Sequence, residues 1–117
     1  MPLRCLIVDD KHEFLVSAST LLSSQGMEIV GTTSTGPDAI RQAESLRPDV
    51  VLVDVQLGDE DGLELARQLD ERIPGIAMVL ISTHSREDVM ELAADSPAAG
   101  FLPKTALSAE AIASLVD

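Results

Sequence analysis

Asp9 and Asp10 close the apolar run Cys5-Leu6-Ile7-Val8, and Asp54 closes Val50-Val51-Leu52-Val53. Ser82 follows Met78-Val79-Leu80-Ile81, and Lys104 follows Phe101-Leu102-Pro103. If each run is a buried strand, three carboxylates, a hydroxyl and an ammonium arrive at one rim of one sheet. Three acids held together repel one another, and burial adds to the cost of ionising them all, so the set calls for a cation. Hard oxygen donors with no histidine or cysteine cluster select Mg2+ or Mn2+ over zinc. Mg2+ takes one or two carboxylates and keeps several waters, which leaves room for a phosphoryl oxygen in its shell. A carboxylate beside such an ion can accept phosphate covalently, with Lys104 and Ser82 placed to meet the other phosphoryl oxygens. Spreading charge over three equatorial oxygens is the main demand of phosphoryl transfer.

The runs that deliver these residues recur at fairly even spacing: Leu3 to Val8, Met27 to Val30, Val50 to Val53, Ile76 to Ile81 and Ala98 to Leu102. Runs that are apolar without alternation suit strands covered on both faces, as in a parallel sheet. Between them lie segments of helical period. The first places Phe14, Ala18, Leu21 and Leu22 on one face and meets Gly26 where a C-terminal cap is expected. The second opens on Pro37, groups Ile40, Ala43 and Leu46, and stops before Pro48. The third runs from about Gly62, with Leu65, Ala66 and Leu69 inward, to near Pro74. Ser85 and Asp88 form a candidate capping box for a fourth, ahead of Val89 and Leu92, and a fifth begins near Ser108 with Ile112, Leu115 and Val116. Alternating strands and helices imply right-handed crossovers and a three-layer α/β/α sandwich. In such sheets ligands sit outside the carboxyl ends of the strands, where the strand order reverses, and all five candidate residues fall there.

At 117 residues the chain is one domain, residues 1–117, with no repeat or linker. Apolar residues make up 45% against 24% charged, with two phenylalanines and no tyrosine or tryptophan, so the core is aliphatic and disorder is excluded. The formal charge of −12 argues against nucleic-acid contact by this chain. The single cysteine, Cys5, lies inside an apolar run and reads as a small buried hydrophobe. No apolar stretch approaches ~20 residues and no secretory leader opens the chain, so no membrane association and a cytoplasmic location are expected.

Four motifs in order now carry a resemblance. Leu6-Ile7-Val8-Asp9-Asp10, Val53-Asp54-Val55-Gln56-Leu57 leading to Asp61-Gly62, Leu80-Ile81-Ser82, and Gly100-Phe101-Leu102-Pro103-Lys104 together resemble a receiver domain of a bacterial two-component response regulator. The likeness runs from Leu3 to about Val116. It implies a flavodoxin-like (βα)5 fold with a five-stranded parallel sheet of order 2-1-3-4-5. It also implies that Asp54 accepts phosphate from a sensor histidine kinase or from a small phosphodonor such as acetyl phosphate. Asp9 and Asp10, with Asp54 and the backbone carbonyl of Gln56, would hold Mg2+. Lys104 and Ser82 would contact the phosphoryl group, and Phe101 would be the switch aromatic that turns inward as the serine hydroxyl is drawn to phosphate. Gln56 and His84 would tune the lifetime of the acyl phosphate. The fourth helix, fifth strand and fifth helix would form the face that changes, a candidate homodimer surface. Such a domain catalyses its own phosphorylation and dephosphorylation but is primarily a signalling switch. The stretch Ala99 to Lys104 is similar to receivers that precede helix-turn-helix output domains of transcription regulators; a stand-alone receiver is the other form.

Two positions depart from the family pattern. Gly58 stands where many relatives carry proline, which should loosen the loop toward the third helix. Thr105 follows Lys104 where many relatives have proline at a cis bond; without proline a cis peptide costs about 2.5 to 4 kcal/mol, so that geometry is not carried over.

Bland readings stand beside these. An aspartate after a strand is often a turn former or helix cap. Asp59, Glu60 and Asp61 read as a solvated loop rather than further metal ligands, and His84 as an exposed loop residue. Two other functions share the topology. A degenerate receiver-like module, acting by protein binding without phosphorylation, would lack acids or the lysine, and none is missing. A flavin-binding protein would want a glycine- and hydroxyl-rich loop after the first strand, where Asp9-Asp10-Lys11-His12 would repel a flavin phosphate.

Overall fold

A computed structural model describes residues 2–83, 94 and 96–116. Five strands form one parallel sheet: β1 (Arg4–Val8), β2 (Glu28–Thr33), β3 (Val50–Asp54), β6 (Met78–Ser82) and β7 (Gly100–Pro103), in the order β2-β1-β3-β6-β7. Numbered among themselves these five run 2-1-3-4-5, the expected flavodoxin-like order. The remaining two strands, β4 (Gln56–Leu57) and β5 (Glu60–Asp61), make a separate antiparallel hairpin.

The strand sequences explain their places. Every residue of β3 and β6 is buried, as befits apolar runs covered on both faces, whereas the edge strands β2 and β7 are largely half-buried. Side chains alternate across the sheet. Leu6, Val8, Val51, Val53, Met78 and Leu80 face one layer, made by α2 (Gly36–Leu46) and α3 (Gly62–Arg72). Cys5, Ile7, Val50, Leu52, Val79 and Ile81 face the other, made by α1 (His12–Ser24) and the last helix (Ala109–Val116).

Helix ends follow from sequence chemistry. Gly26 adopts φ 95° after α1, with its N–H donating to Ser23 O and that of Met27 to Leu22 O, so the αL residue closes the last turn. Pro37 lies in the first turn of α2, whose N-cap Thr35 accepts from the Asp38 N–H at 3.3 Å. Ser108 Oγ accepts from the Ala111 N–H at 3.0 Å and starts the last helix. On α1 the buried residues are Leu15, Ala18 and Leu22, while Leu21 is 40% exposed. The expected inward position of Leu21 is thus corrected: Leu15, immediately after Phe14, carries the buried stripe instead. The expected fourth helix, with Ser85, Asp88, Val89 and Leu92, lies outside the described residues, as does His84.

The acid run after β3 is more structured than a solvated loop. Glu60 Oε2 accepts from the Gly36 N–H at the start of α2 at 2.6 Å, and Asp61 Oδ1 accepts from the Leu63 N–H at 2.9 Å as N-cap of α3. Gly58 does not loosen this segment. It has φ 57° in the two-residue turn between Leu57 and Glu60, the first central position of a tight hairpin, which proline at φ near −65° could not occupy.

Candidate functional site

Register brings the predicted residues to one rim. Val8 pairs with Val53, Asp54 with Ile81 and Ser82 with Pro103, so Asp9, Asp54, Ser82 and Lys104 follow one another along the carboxyl ends of β1, β3, β6 and β7. Strand order reverses between β1 and β3, which is where such sheets open a crevice. Asp54 continues the alternation of Val50 and Leu52, and Asp9 that of Cys5 and Ile7, which places both acids on the α1 side.

Asp9 is fully buried, Asp54 nearly so, and Asp10 exposed. Asp9 Oδ1 accepts from the Lys11 N–H at 2.8 Å, and Asp54 Oδ1 from the Gln56 N–H at 3.1 Å, which turns each carboxylate back over its own loop. The Lys104 side chain, 9% exposed, ends 2.6 Å from Asp9 Oδ2 and 3.3 Å from Asp54 Oδ2. Asp9 Oδ2 is buried and, among the described residues, lacks a hydrogen bond of good geometry, so its short contact with Lys104 is a charge pairing. The ammonium also sits over the Phe14 ring, 4.4 Å from its centroid.

The electrostatics are those of an acid excess. Burial pushes the Asp54 carboxyl above its usual range; the Gln56 N–H and the Lys104 ammonium pull against that shift, and the Asp9 charge adds to it. For Lys104, burial opposes the charged form, but contacts with Asp9 and Asp54 outweigh it and raise its pKa. The ion pair alone would lower Asp54; the net rise shows that one ammonium does not offset burial beside a second carboxylate.

The donor set fits a hard divalent cation. Asp9, Asp10 and Asp54 each offer an oxygen, and these lie within 4.8 Å of one another. Asp9 Oδ2 is a buried oxygen whose partner among the described residues is the Lys104 ammonium, with no hydrogen bond of good geometry. Among the described residues Asp59, Glu60 and Asp61 do not join this cluster, and the latter two have helix-start donors instead.

Other predicted residues take different places. Ser82 is buried at the end of β6. Phe101 is half-buried, opposite Leu80 in the register, and packs on the α2/α3 side of the core. Gln56 opens the hairpin with its side chain exposed. Lys104 begins a short 3-10 turn, Lys104–Ala106, and no peptide bond among the described residues is cis.

Two residues at the site escaped sequence reasoning. Gly62 starts α3 so close to β3 that a Cβ there would lie 1.9 Å from the Asp54 carbonyl oxygen, while its N–H donates to Val55 O at 2.9 Å. The Asp61-Gly62 pair was visible, but its reason is tertiary. Phe14 read as a core residue of α1, and its contact with Lys104 spans most of the chain. A groove of about 690 Å3 between α2 and α3, lined by Ile40, Gln68 and Arg72, shares no residue with this rim.

The model of the response regulator receiver domain family matches residues 5–116. The response regulator protein VraR of Staphylococcus saprophyticus is 33% identical over 106 residues, covering 90% of this chain and 51% of that protein. VraR of Staphylococcus aureus is 32% identical over 117 residues, covering 99% of this chain and 56% of that protein. The chain thus spans about half the length of the curated relatives it matches. The signal receiver domain of the putative response regulator NarL from Mycobacterium tuberculosis superposes with a TM-score of 0.82 at 28% identity, covering 98% of this chain and 93% of that one. Among the described residues no helix is long and apolar enough to cross a membrane.

Proposed function

Since the chain belongs to the response regulator receiver domain family, we propose that it is a phosphorylation switch whose acceptor is Asp54. The observation that carries this reading is the convergence of Asp9, Asp10, Asp54 and Lys104 on one rim, with the two inner carboxylates buried around the Lys104 ammonium.

Asp54 Oδ2 faces Lys104, and Oδ1 is held by the Gln56 N–H, so the carboxylate is fixed before a donor arrives. It attacks the phosphorus of a kinase phosphohistidine or of acetyl phosphate. An O–P bond to Asp54 forms as the N–P or acyl O–P bond breaks, and histidine or acetate leaves. Asp9, Asp10, Asp54 and the Gln56 carbonyl would hold Mg2+ or Mn2+, which supplies positive charge to the transferring oxygens. Lys104 then exchanges its Asp54 contact for a phosphoryl oxygen, and the Ser82 hydroxyl donates to another. Phe101 sits on the same face of the sheet two residues of register away and would follow Ser82. Gln56 and His84 would set how fast water removes the phosphate.

The partners of this reading are a sensor histidine kinase and, through the face of the fourth helix, β7 and the last helix, a second copy of the chain. A helix-turn-helix output segment and a role in transcription regulation complete it; the support is that the curated response regulators it matches are longer than this chain.

Intact-mass measurement after incubation with acetyl phosphate and Mg2+ tests the reading. One added phosphoryl group, absent without Mg2+ and absent in Asp54→Asn, is the expected result. An unchanged mass in the wild type would instead favour a receiver-like module that works by phosphorylation-independent protein binding.

A further inference from the structure

We propose that Phe14 is a positioning residue for Lys104, its ring face holding the ammonium at one point above the acids while the acids' own charge changes. The inference rests on the reading of Lys104 as the group that meets the phosphoryl oxygen. Phe14 is one of two aromatic residues in the chain, and Lys104 one of two lysines. Phe14 packs against the α1-side core, and its ring face also meets the Lys104 ammonium, 4.4 Å from the centroid, at a rim where three carboxylates gather, so packing alone does not account for its place.

The placement follows from the helix. Leu15 turns into the sheet and is buried, whereas Phe14, in the first turn of α1, is only half-buried. Side chains in a helix lean toward its N-terminus, here toward the rim where β1 ends. Phe14 and Lys104 both line a cleft of about 610 Å3 with Lys11, His12, Glu13 and Thr83, although the Lys104 side chain is only 9% exposed.

An ammonium has no intrinsic direction, and a lysine stem is flexible. Asp9 and Asp54 hold Nζ now, but both contacts weaken when Asp54 is esterified and the Asp9 charge is shared with a metal. The attraction of a cation to a ring face does not depend on either acid. Phe14 also belongs to α1 and not to the acceptor strand, so it stays put while Asp54 changes. Leucine would fill similar volume without the ring quadrupole; tyrosine would keep it.

The test compares wild type, Phe14→Leu and Phe14→Tyr by two readouts. In 1H–13C spectra the Lys104 Cε protons should be shifted upfield by the ring in wild type and Phe14→Tyr, and not in Phe14→Leu. In phosphorylation by acetyl phosphate with Mg2+, followed by intact mass, Phe14→Leu should be slower by roughly three- to tenfold, with Phe14→Tyr close to wild type. Unshifted Lys104 protons in wild type, or equal rates in wild type and Phe14→Leu, would overturn the proposal, as would equal slowing in both variants, which would mark a packing effect. Ring-shifted protons in a wild type that gains no phosphate would remove the acceptor reading and leave the ring-held ammonium standing.

Discussion

Lys104 Nζ lies closer to Asp9 Oδ2, at 2.6 Å, than to Asp54 Oδ2, at 3.3 Å. The lysine therefore rests mainly on the deeper acid, and Asp54 is the looser of its two partners. Under the proposed function, Lys104 would keep its Asp9 anchor and release Asp54 during phosphoryl transfer.

Removing that anchor should be costly. Lys104→Met leaves Asp9 fully buried beside Asp54 without the ammonium that pairs both, and we expect a loss of about 3 kcal/mol, the low end for breaking a buried pair. Urea denaturation gives the number. Millimolar Mg2+ should recover part of it; a loss indifferent to Mg2+ would mean that the acids do not bind the ion.

Stability should depend on pH through Asp54. Its folded pKa lies above the ordinary value of 3.8, so the folded state holds the proton more tightly than the unfolded chain. The resulting stabilisation is fully present below pH 3.8 and is lost as pH rises through the folded pKa. At neutral pH the ionised carboxylate is thus a liability, and Asp54→Asn should melt higher than wild type. That advantage should shrink on acidification toward the ordinary carboxylate pKa, and Mg2+ at neutral pH should narrow it by stabilising wild type. Equal melting temperatures at pH 7 without metal would contradict the electrostatic account.

Gly62→Ala should be among the most damaging small substitutions. The new Cβ would sit 1.9 Å from the Asp54 carbonyl oxygen, which is backbone and cannot step aside. We expect about 3 kcal/mol of destabilisation, the upper end for overpacking, and loss of phosphorylation even where the variant remains folded. By comparison Gly58→Ala, whose Cβ meets only the Asp10 carboxylate at 3.6 Å, costs on the order of 1 kcal/mol for its positive φ.

Cys5 should be silent to thiol reagents. Burial pushes its pKa up to about 12, and it has no exposed surface. Modification by an iodoacetamide reagent at pH 8 should appear only in denaturant, at the rate of a free thiol; rapid labelling of the folded protein would show that β1 opens.

Much of this site was legible because buried parallel strands write themselves as unbroken apolar runs, and the polar residue ending each run must lie at the sheet rim. Asp9, Asp54, Ser82 and Lys104 were located that way, with the sheet order supplied by the family resemblance. What was hidden depends on approach rather than pattern. Phe14 looks like any apolar residue of an amphipathic helix, and only the fold shows Lys104 over its ring. Leu21 joins an apolar set that wraps too far around α1 for periodicity alone to choose the buried stripe. The hairpin of Gln56 to Asp61 has strands too short to carry an alternation, so its acids read as a loop. Gly62 shows no local reason for being glycine, because the atom it avoids belongs to another element.

Loops on protein surfaces usually absorb insertions at small entropic cost. The segment after β3 does not have that freedom. Two consecutive residues, Glu60 and Asp61, complete the starts of two different helices, one reaching back to the Gly36 N–H and the other forward to the Leu63 N–H. One added residue between Gly58 and Glu60 would shift at least one carboxylate out of reach and undo the two-residue turn. The length of this loop is therefore as constrained as the identity of the residue that precedes it in β3, and natural variation here should take the form of substitution rather than insertion or deletion.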